Sequence, residues 1–307
     1  MVFRPPRQTS RGIASLFGLL NVNKPSGVTS RDVVNHVQRL VRPVKVGHAG
    51  TLDPLANGVL VVSLGQATRL TPYLHDLTKQ YKGTFLLGRR SDTEDIEGQV
   101  ETIPDAVPPS EAEILAALPQ FTGKILQRPP AYSAIKVKGK RAYERARAGD
   151  VVELTARPVT INEIALLDYQ YPELRLSIVC GSGTYIRSLG RDLAETIGSC
   201  SVMSALTRTA IGPFQLAKST QLEQLTKDGI EPYLLPPLTG VPHLPQVELS
   251  SHQIEQLADG RLLSCNNCDA DEVAAIDPQG QLLAILQRQS DEGDYHPKRN
   301  FAARFSS

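Results

Sequence analysis

The apolar positions along this 307-residue chain follow two different spacings. Short runs or alternations of apolar residues, which are typical of strands, occur at 18–23, 59–62, 81–87 and 174–180. Helical spacing predicts one helix that Ser30 caps and that ends before Pro43, and a second helix over 186–197. Strands and helices alternate without a regular βαβ order, which favours the α+β class over a doubly wound parallel sheet.

Local signals place further boundaries. Ser110 opens a capping box, which predicts a short helix that ends at Leu118, and residues 47–58 read as a loop that contains glycines. Five prolines between 232 and 245 exclude a helix or a central strand there. We therefore predict four parts, which are a flexible tail (1–16), a large domain (17–231), a Pro-rich linker (232–246) and a small domain (247–302).

The small domain reads as rich in β-structure. A short helix is predicted over 251–259, closed by Gly260. A β-hairpin follows, in which 273–276 and 281–286 are the strands and 277–280 the turn.

Charge is unevenly distributed along the chain. The formal net charge is only +1, yet residues 1–45 hold eight Lys and Arg against one Asp, and residues 121–150 hold eight against two acidic residues. Two basic segments could therefore follow a phosphate backbone while the acidic remainder is repelled from it. Residues 92–105 carry six acidic side chains without a basic neighbour. The cluster at 92–97 could imitate a metal site, but we expect it to form a solvated loop.

The four cysteines are too few for a disulfide scaffold. Cys265 and Cys268 form one Cys-x-x-Cys without the second pair that a zinc site needs, so we interpret them as a turn with reduced thiols. No apolar run approaches the roughly 18 residues that span a membrane. We expect a reduced, soluble, cytoplasmic protein.

The segment from Gly47 to Leu60, Gly-His-Ala-Gly-Thr-Leu-Asp-Pro-Leu-Ala-Asn-Gly-Val-Leu, is the most unusual in the chain. Asp53 precedes Pro54, which restricts its backbone to an extended form, and the loop leads into an apolar strand. A rigid carboxylate at the edge of a buried sheet can act as a nucleophile or a general base. The alternative is a turn residue that bonds its own backbone.

This segment resembles the signature of the TruB family of tRNA pseudouridine synthases, which isomerise the uridine at position 55 in the T loop of tRNA. Other segments resemble the family in the same order: Lys24-Pro-Ser-Gly-Val-Thr-Ser30, Lys79-Gln-Tyr81, Pro130-Ala-Tyr-Ser-Ala-Ile-Lys136, Gly183-Thr-Tyr-Ile-Arg187 and Leu206-Thr-Arg208. The resemblance spans about residues 17–215. It implies the pseudouridine-synthase fold, with a central mixed, mostly antiparallel sheet flanked by helices, and a small C-terminal domain that is similar to a PUA module.

The resemblance also implies roles for individual residues. Asp53 would be the catalytic nucleophile, Arg187 would orient it and keep it ionised, and Tyr81 would stack on the target base. His48 would contact or replace the flipped nucleotide, and Lys24 would support the tyrosine side of the site. The other substrate-binding candidates are Tyr185, Leu206, Tyr132, Lys136, Lys138, Lys140 and Arg141, the last five in an RNA-gripping insertion at about 124–155.

The implied reaction needs neither cofactor nor metal, because no atoms enter or leave the uridine. The expected partner is the T stem-loop of tRNA, with no membrane and no obligate protein partner. Two alternatives belong to other classes. One is a tRNA-folding chaperone that uses the same surface without turnover. The other is a carboxylate glycosidase, which normally needs two carboxylates flanking the bond, whereas the signature loop offers one.

Overall fold

The structure is a computed structural model that describes residues 16–133, 135–137, 140–142, 145, 154–264, 268–289 and 293–302. Its helices are α1 (Ser30–Val41), α2 (Thr71–Asp76), α3 (Glu111–Ala117), α4 (Ile186–Thr196) and α5 (Ser251–Ala258). The strands before α4 are β1 (Gly18–Lys24), β2 (Val46–Ala49), β3 (Asn57–Leu64), β4 (Lys79–Leu87), β5 (Arg89–Arg90), β6 (Glu101–Thr102), β7 (Gly123–Gln127), β8 (Lys136–Val137), β9 (Lys140–Arg141), β10 (Arg157–Gln170) and β11 (Glu173–Cys180).

The strands after α4 are β12 (Ser201–Ile211), β13 (Phe214–Gln215), β14 (Thr220–Gln221), β15 (Gln246–Glu248), β16 (Leu263–Ser264), β17 (Glu272–Ile276), β18 (Leu282–Arg288) and β19 (Asp294–Asn300). Short 3₁₀ turns connect several of them, at Gly65–Leu70, Leu118–Phe121, Leu216–Lys218, Leu222–Gln224, Glu231–Tyr233 and Pro237–Gly240.

Ten of the described strands form one central sheet in the order β14-β1-β3-β12-β4-β11-β10-β7, with β13 beside β12 and β2 beside β3. The pairs β1–β14 and β3–β12 are parallel, and the other pairs are antiparallel. The expected mixed, mostly antiparallel sheet of the α+β class is therefore confirmed. The parallel contact of β3 with β12 matters for function, because it sets the loop before β3 beside the end of β12.

Helices cover the sheet by burying their apolar stripes. Leu189 and Leu193 of α4 pack on β4 and β11, and the valines of α1 pack on β1 and β3. Strand β3 is buried on both faces, since Leu60 and Val62 face α1 while Val59 and Val61 face a second cluster that includes α2. Burial on both faces explains why β3 reads as a continuous apolar run rather than an alternation.

Two sequence predictions in this region are wrong in detail. The N-cap of α1 is Thr29, whose hydroxyl accepts from the Asp32 N–H at 3.1 Å, and not Ser30. The Ser30 hydroxyl is instead used by the loop that contains Leu52. The stretch 47–58 is not wholly a loop, because β2 reaches Ala49 and β3 begins at Asn57. The first difference is a local capping box between Thr29 and Asp32 that the prediction missed, whereas the second depends on strand pairing, which local patterns do not report.

The C-terminal residues form a separate five-stranded sheet in the order β15-β17-β18-β19-β16, with α5 packed against it through Leu257. The predicted helix and hairpin are both present, so the β-rich character of this part is confirmed. This sheet packs on the central domain through an apolar cluster that includes Leu70, Val241 and Phe301.

Polar contacts reinforce that interface. The Tyr73 hydroxyl donates to the Glu272 carboxylate at 2.7 Å, and Lys298 is ion-paired with the same carboxylate. Arg69 donates to the Asn300 carbonyl oxygen at 2.6 Å and lies over the Phe301 ring. The Pro-rich segment predicted as a linker also joins the central domain, because Leu235 exchanges two backbone hydrogen bonds with Leu19.

We expect Tyr73→Phe to lower the free energy of unfolding by about 1 kcal/mol, because it removes one hydrogen bond to a charged group across this interface. Urea unfolding measures the change, and Tyr233→Phe is the matched control, since no side-chain hydrogen bond involves its hydroxyl group in the described part of the chain. Equal stability of the two variants would show that the Tyr73–Glu272 contact does not hold the parts together.

Several sequence features fall partly outside the described residues. Of the predicted tail, the structure describes only Leu16, and of the Cys-x-x-Cys it describes only Cys268, a free thiol. The first residues of the predicted insertion belong to the central sheet, where β7 pairs with β10. Among the described helices, none is long and apolar enough to cross a membrane.

Candidate active site

Asp53 lies in the short loop that connects β2 to β3, at the centre of the main sheet. The loop is held by Ser30 of α1, whose hydroxyl accepts from the Leu52 N–H at 2.8 Å and lies 3.1 Å from the Leu52 carbonyl oxygen. The Ala56 N–H donates to the Asp53 carbonyl oxygen at 3.1 Å and closes a turn. The backbone that carries the Asp53 carboxylate is therefore rigid before any substrate arrives.

Lys24 fixes the other side of the same loop. Its ammonium is fully buried and donates to the carbonyl oxygens of Pro25, Val28 and Pro54, the last at 3.3 Å. The Gly27 N–H also donates to the Pro54 carbonyl oxygen, at 2.8 Å. Burial lowers the pKa of Lys24 to about 8, although the nearby Asp53 carboxylate acts in the opposite direction. The buried Lys24 side chain therefore packs against the Asp53 loop.

Arg187 holds the Asp53 carboxylate through two nitrogen atoms. Its Nε lies 3.0 Å from Oδ2 and its Nη2 lies 3.3 Å from Oδ1. The Arg187 side chain is 6% exposed, whereas Asp53 is 34% exposed. Such a forked contact orients a carboxylate. The Asp53 carboxylate is therefore held by Arg187 and remains partly accessible to solvent.

A second carboxylate, Asp95, lies behind Arg187. Its Oδ2 is 3.3 Å from Arg187 Nη1, and its side chain is only 2% exposed. Arg187 also donates to the carbonyl oxygens of Thr93 and Tyr132, at 2.8 and 3.0 Å. A cation in the first turn of a helix is unfavourable for the helix dipole, and these partners offset that effect. Sequence reasoning did not identify Asp95.

The expectation of a solvated acidic loop at 92–97 is wrong for its two central residues. Glu94 is ion-paired with Arg191 and accepts from the Ser188 hydroxyl at 2.9 Å, and Asp95 is buried against Arg187. The basic partners come from α4, far away in sequence. One signal could have found them, since Arg187 and Arg191 lie one helical turn apart and so face the same acidic pair.

Tyr81 and Leu206 are neighbouring buried side chains of the sheet. Both belong to the cluster of buried side chains around α4, on the adjacent strands β4 and β12. Burial raises the pKa of the Tyr81 phenol, so this group stays protonated at neutral pH. A half-buried nucleobase could stack on these side chains.

His48 lies on β2, just before the Asp53 loop. Its Nδ1 is buried and has no hydrogen-bond partner among the described residues. Burial, together with nearby Arg31 and Arg208, lowers the pKa of His48 to about 4. The imidazole is therefore neutral at pH 7 and can contact a base without adding a charge.

The free energy of unfolding below pH 7 should depend on the protonation of His48. Because the pKa of His48 is about 4 in the folded chain against 6.5 as its ordinary value, the unfolded chain binds the proton first as the pH falls. Stability is therefore lost between about pH 6.5 and 4. We expect His48→Gln to remove about 1–2 kcal/mol of that loss in urea unfolding, whereas His252→Gln, an exposed control, should not. An unchanged pH profile in His48→Gln would contradict this account.

Tyr185 and Tyr132, two further candidates, are held by contacts with neighbouring segments. The Tyr185 N–H donates to Gln127 Oε1 at 2.8 Å, and Gln127 Nε2 donates back to the Tyr185 carbonyl oxygen at 3.0 Å. The Tyr132 hydroxyl donates to the Asp92 carboxylate at 2.8 Å, while its carbonyl oxygen binds Arg187. Lys136 lies on β8, Lys140 and Arg141 lie on β9, and Lys138 lies outside the described residues.

A metal centre is not evident in the described part of the chain, where no group of three or more His, Cys, Asp or Glu side chains could hold an ion. The groups that this site offers for chemistry are the oriented carboxylate of Asp53, the buried guanidinium of Arg187 and the neutral phenol of Tyr81.

The fold and this site define the pseudouridine-synthase class, and comparison with solved structures agrees. The chain superposes on a crystal structure of a Cbf5–Nop10–Gar1 complex with a TM-score of 0.72 and 26% identity, covering 95% of this chain and 86% of that chain. A structure of an H/ACA RNP bound to a substrate RNA containing 2′-deoxyuridine gives a TM-score of 0.71 and 25% identity, over 94% and 86% of the two chains.

Sequence comparison narrows the class to one family. The profile of the TruB family pseudouridylate synthase N-terminal domain matches residues 38–186. The tRNA pseudouridine synthase B of Corynebacterium aurimucosum is 42% identical over 276 residues, which are 89% of this chain and 92% of that protein. That of Dehalococcoides mccartyi is 41% identical over 289 residues, 92% and 96% of the two chains. The chain belongs to the TruB family, as its motifs predicted.

Proposed function

We propose that this protein converts the uridine at position 55 in the T loop of tRNA to pseudouridine, with Asp53 as the nucleophile. The observation that carries the proposal is the partly exposed Asp53 carboxylate that Arg187 clamps, in the loop before β3 of the central sheet. Relatives with about 40% identity over most of the chain are named tRNA pseudouridine synthase B, which supports tRNA as the substrate.

The reaction is an isomerisation that balances without a co-reactant. The N1–C1′ bond of the uridine breaks, the ring turns, and a C5–C1′ bond forms in its place. The C5 proton is lost and N1 gains a proton. Asp53 attacks the base or the sugar, or removes a sugar proton, and each of these roles requires an ionised carboxylate. Arg187 fixes the direction of the carboxylate oxygen atoms through its forked contact.

The uridine must leave its stack to reach this carboxylate. Base flipping costs a few kcal/mol, and least where stacking is already irregular, as in a folded loop. The flipped uracil would lie between Tyr81 and Leu206, with His48 at the nucleotide that it leaves behind. Retention of the detached ring between Tyr81 and Leu206 prevents its loss before the second bond forms.

The other candidate residues would bind the RNA around the target. We assign Tyr132, Tyr185, Lys136, Lys138, Lys140 and Arg141 to contacts with the T stem-loop, the basic ones to phosphates. Arg187 links these residues to the chemistry, because it binds both Asp53 and the Tyr132 backbone. A cytoplasmic location and action without an obligate protein partner stay predictions from the sequence.

The two alternatives have less support. Binding without turnover is not favoured, because the family is one of pseudouridylate synthases. A glycosidase would need a second carboxylate in contact with substrate. Asp95 is buried and occupied by Arg187, and the exposed Glu97, which also lies near Asp53, is hydrogen-bonded to the Leu55 backbone.

The test is to map pseudouridine in a tRNA transcript after incubation with the protein. We expect a single pseudouridine at position 55, and a matched transcript with cytidine at that position should remain unmodified. Modification at another uridine would overturn the assigned position. No modification of either transcript by folded protein would overturn the proposed function.

A further inference from the structure

Arg208 is the largest fully buried side chain in the described structure, with an exposure of 1%. It lies on β12, opposite Tyr81 of β4 and beside Gly58 of β3. A buried guanidinium is unfavourable unless its donors are used, so its contacts must be specific. These contacts show which parts of the site Arg208 holds in place.

Arg208 binds backbone on both sides of the Asp53 loop. Its Nε donates to the Val59 carbonyl oxygen at 2.7 Å, and its Nη2 donates to the Gly50 carbonyl oxygen at 2.9 Å. Gly50 has φ +75°, and Gly58 lies so near that a Cβ there would be 2.3 Å from the Arg208 carbonyl oxygen. These glycines allow the loop to approach the buried arginine closely.

The Arg208 guanidinium also lies close to the Tyr81 ring. Its central carbon lies 6.0 Å from the centroid of the Tyr81 ring. Burial raises the pKa of the Tyr81 phenol, and the adjacent Arg208 opposes that rise. Since a guanidinium only donates hydrogen bonds, the phenol oxygen can meet it only as an acceptor. The phenol proton then remains available to the substrate.

In the described part of the chain, no carboxylate forms an ion pair with Arg208; its hydrogen-bond acceptors there are the two backbone carbonyl groups, with the phenol adjacent. Arg187 differs, because it is paired with two acids. A charge that is buried without a counterion is unfavourable for stability, which suggests that its position serves another purpose.

We infer that Arg208 is a positioning residue that locks the two ends of the Asp53 loop and the Tyr81 phenol into one arrangement. This inference rests on the proposed function, since it concerns the same site. Asp53 lies in the loop between β2 and β3 and Tyr81 lies on β4, and Arg208 contacts both the ends of this loop and the Tyr81 ring. It acts on the reaction through them and does not touch the uridine.

The test uses RNA that carries tritium at C5 of the target uridine, since this hydrogen is released to water when C5 bonds to C1′. Single-turnover rates and RNA dissociation constants are measured for Arg208→Lys, Tyr81→Phe and the double variant. We expect Arg208→Lys to lower the rate by about 100-fold, because small displacements of reacting groups have effects of that size. The dissociation constant should change less than about 3-fold, because the RNA surface is intact.

The double variant separates positioning from mere structural support. If Arg208 acts through the Tyr81 phenol, the Arg208→Lys effect should shrink at least about 5-fold in the Tyr81→Phe background, without a matching coupling in thermal unfolding. Additive effects on the rate would overturn the link to Tyr81, and wild-type rates in Arg208→Lys would overturn the inference altogether.

Two controls keep the outcomes distinct. Thr209→Val changes the neighbouring residue on β12, a partly exposed position at a β-bulge, and should leave the rate unchanged. Absence of tritium release by the wild-type protein would count against the proposed function itself. Normal release by the wild type together with normal release by Arg208→Lys would count against the inference alone.

Discussion

Asp53→Asn is expected to lower the rate of pseudouridine formation by about 10⁴-fold or more, because the amide cannot act as a nucleophile or a base. The substitution preserves shape, and the loop is held by backbone contacts of Ser30 and Lys24 that do not involve the Asp53 side chain. Folding and RNA affinity should therefore stay near their wild-type values. Pseudouridine mapping after single-turnover incubation measures the rate, and a filter-binding titration measures the affinity.

The matched control is Asp168→Asn, which removes an exposed carboxylate that is 3.9 Å from Arg175 on β10 and β11. It should retain full activity, since surface ion pairs contribute little. Conversion of uridine 55 by Asp53→Asn at a rate comparable with this control would disprove the catalytic assignment. Binding without conversion would separate recognition of the RNA from the chemistry.

Arg187→Met is expected to lower the free energy of unfolding by about 3 kcal/mol, because it leaves the buried Asp95 carboxylate without its counterion. It should also lower the rate of pseudouridine formation by about 10³-fold, because Asp53 loses its forked contact. Urea unfolding and single-turnover kinetics measure the two effects. Arg175→Met, an exposed arginine, is the control and should change stability by less than about 0.5 kcal/mol.

The double variant Arg187→Met with Asp95→Asn tells the two roles of Arg187 apart. Removing the buried negative charge as well should restore most of the lost stability, since no uncompensated charge remains. Activity should stay low, because Asp53 is still not oriented. Recovery of activity in the double variant would show that Arg187 serves only to neutralise Asp95 and takes no part in the reaction.

Much of the fold follows from local patterns. The alternation in β11 and the helical stripe of α4 both predicted elements that the structure confirms, because each element buries one face against the sheet. Strand β3 was also predicted, as a run rather than an alternation. The error at Ser30 has a local cause, since the capping box of Thr29 with Asp32 spans only three residues. The error at 47–58 arises because strand pairing decides where β2 ends and β3 begins.

The candidate site was predicted unevenly. The motifs placed Asp53, Arg187 and Tyr81 in one site through family resemblance, and the structure brings Asp53 and Arg187 into contact. The motifs did not reveal Asp95 behind Arg187, and Arg208 was noted only as part of a segment. Buried charged residues of this kind escape local reasoning, because Asp, Glu and Arg usually lie in solvent and their burial depends on a partner elsewhere in the chain.

By itself, the sequence determined the α+β class, the positions of most helices and strands, and the TruB-family motif with its single aspartate. These properties depend on residues that are close in sequence, through side-chain periodicity and capping. The tertiary structure alone decided which charges neutralise each other. Packing α4 against the loop at 92–97 buries Arg187 between Asp53 and Asp95, and the parallel contact of β3 with β12 brings Arg208 under the Asp53 loop. The electrostatic environment of Asp53 is thus a property of the folded sheet, because only folding can replace the water around these charges with one another.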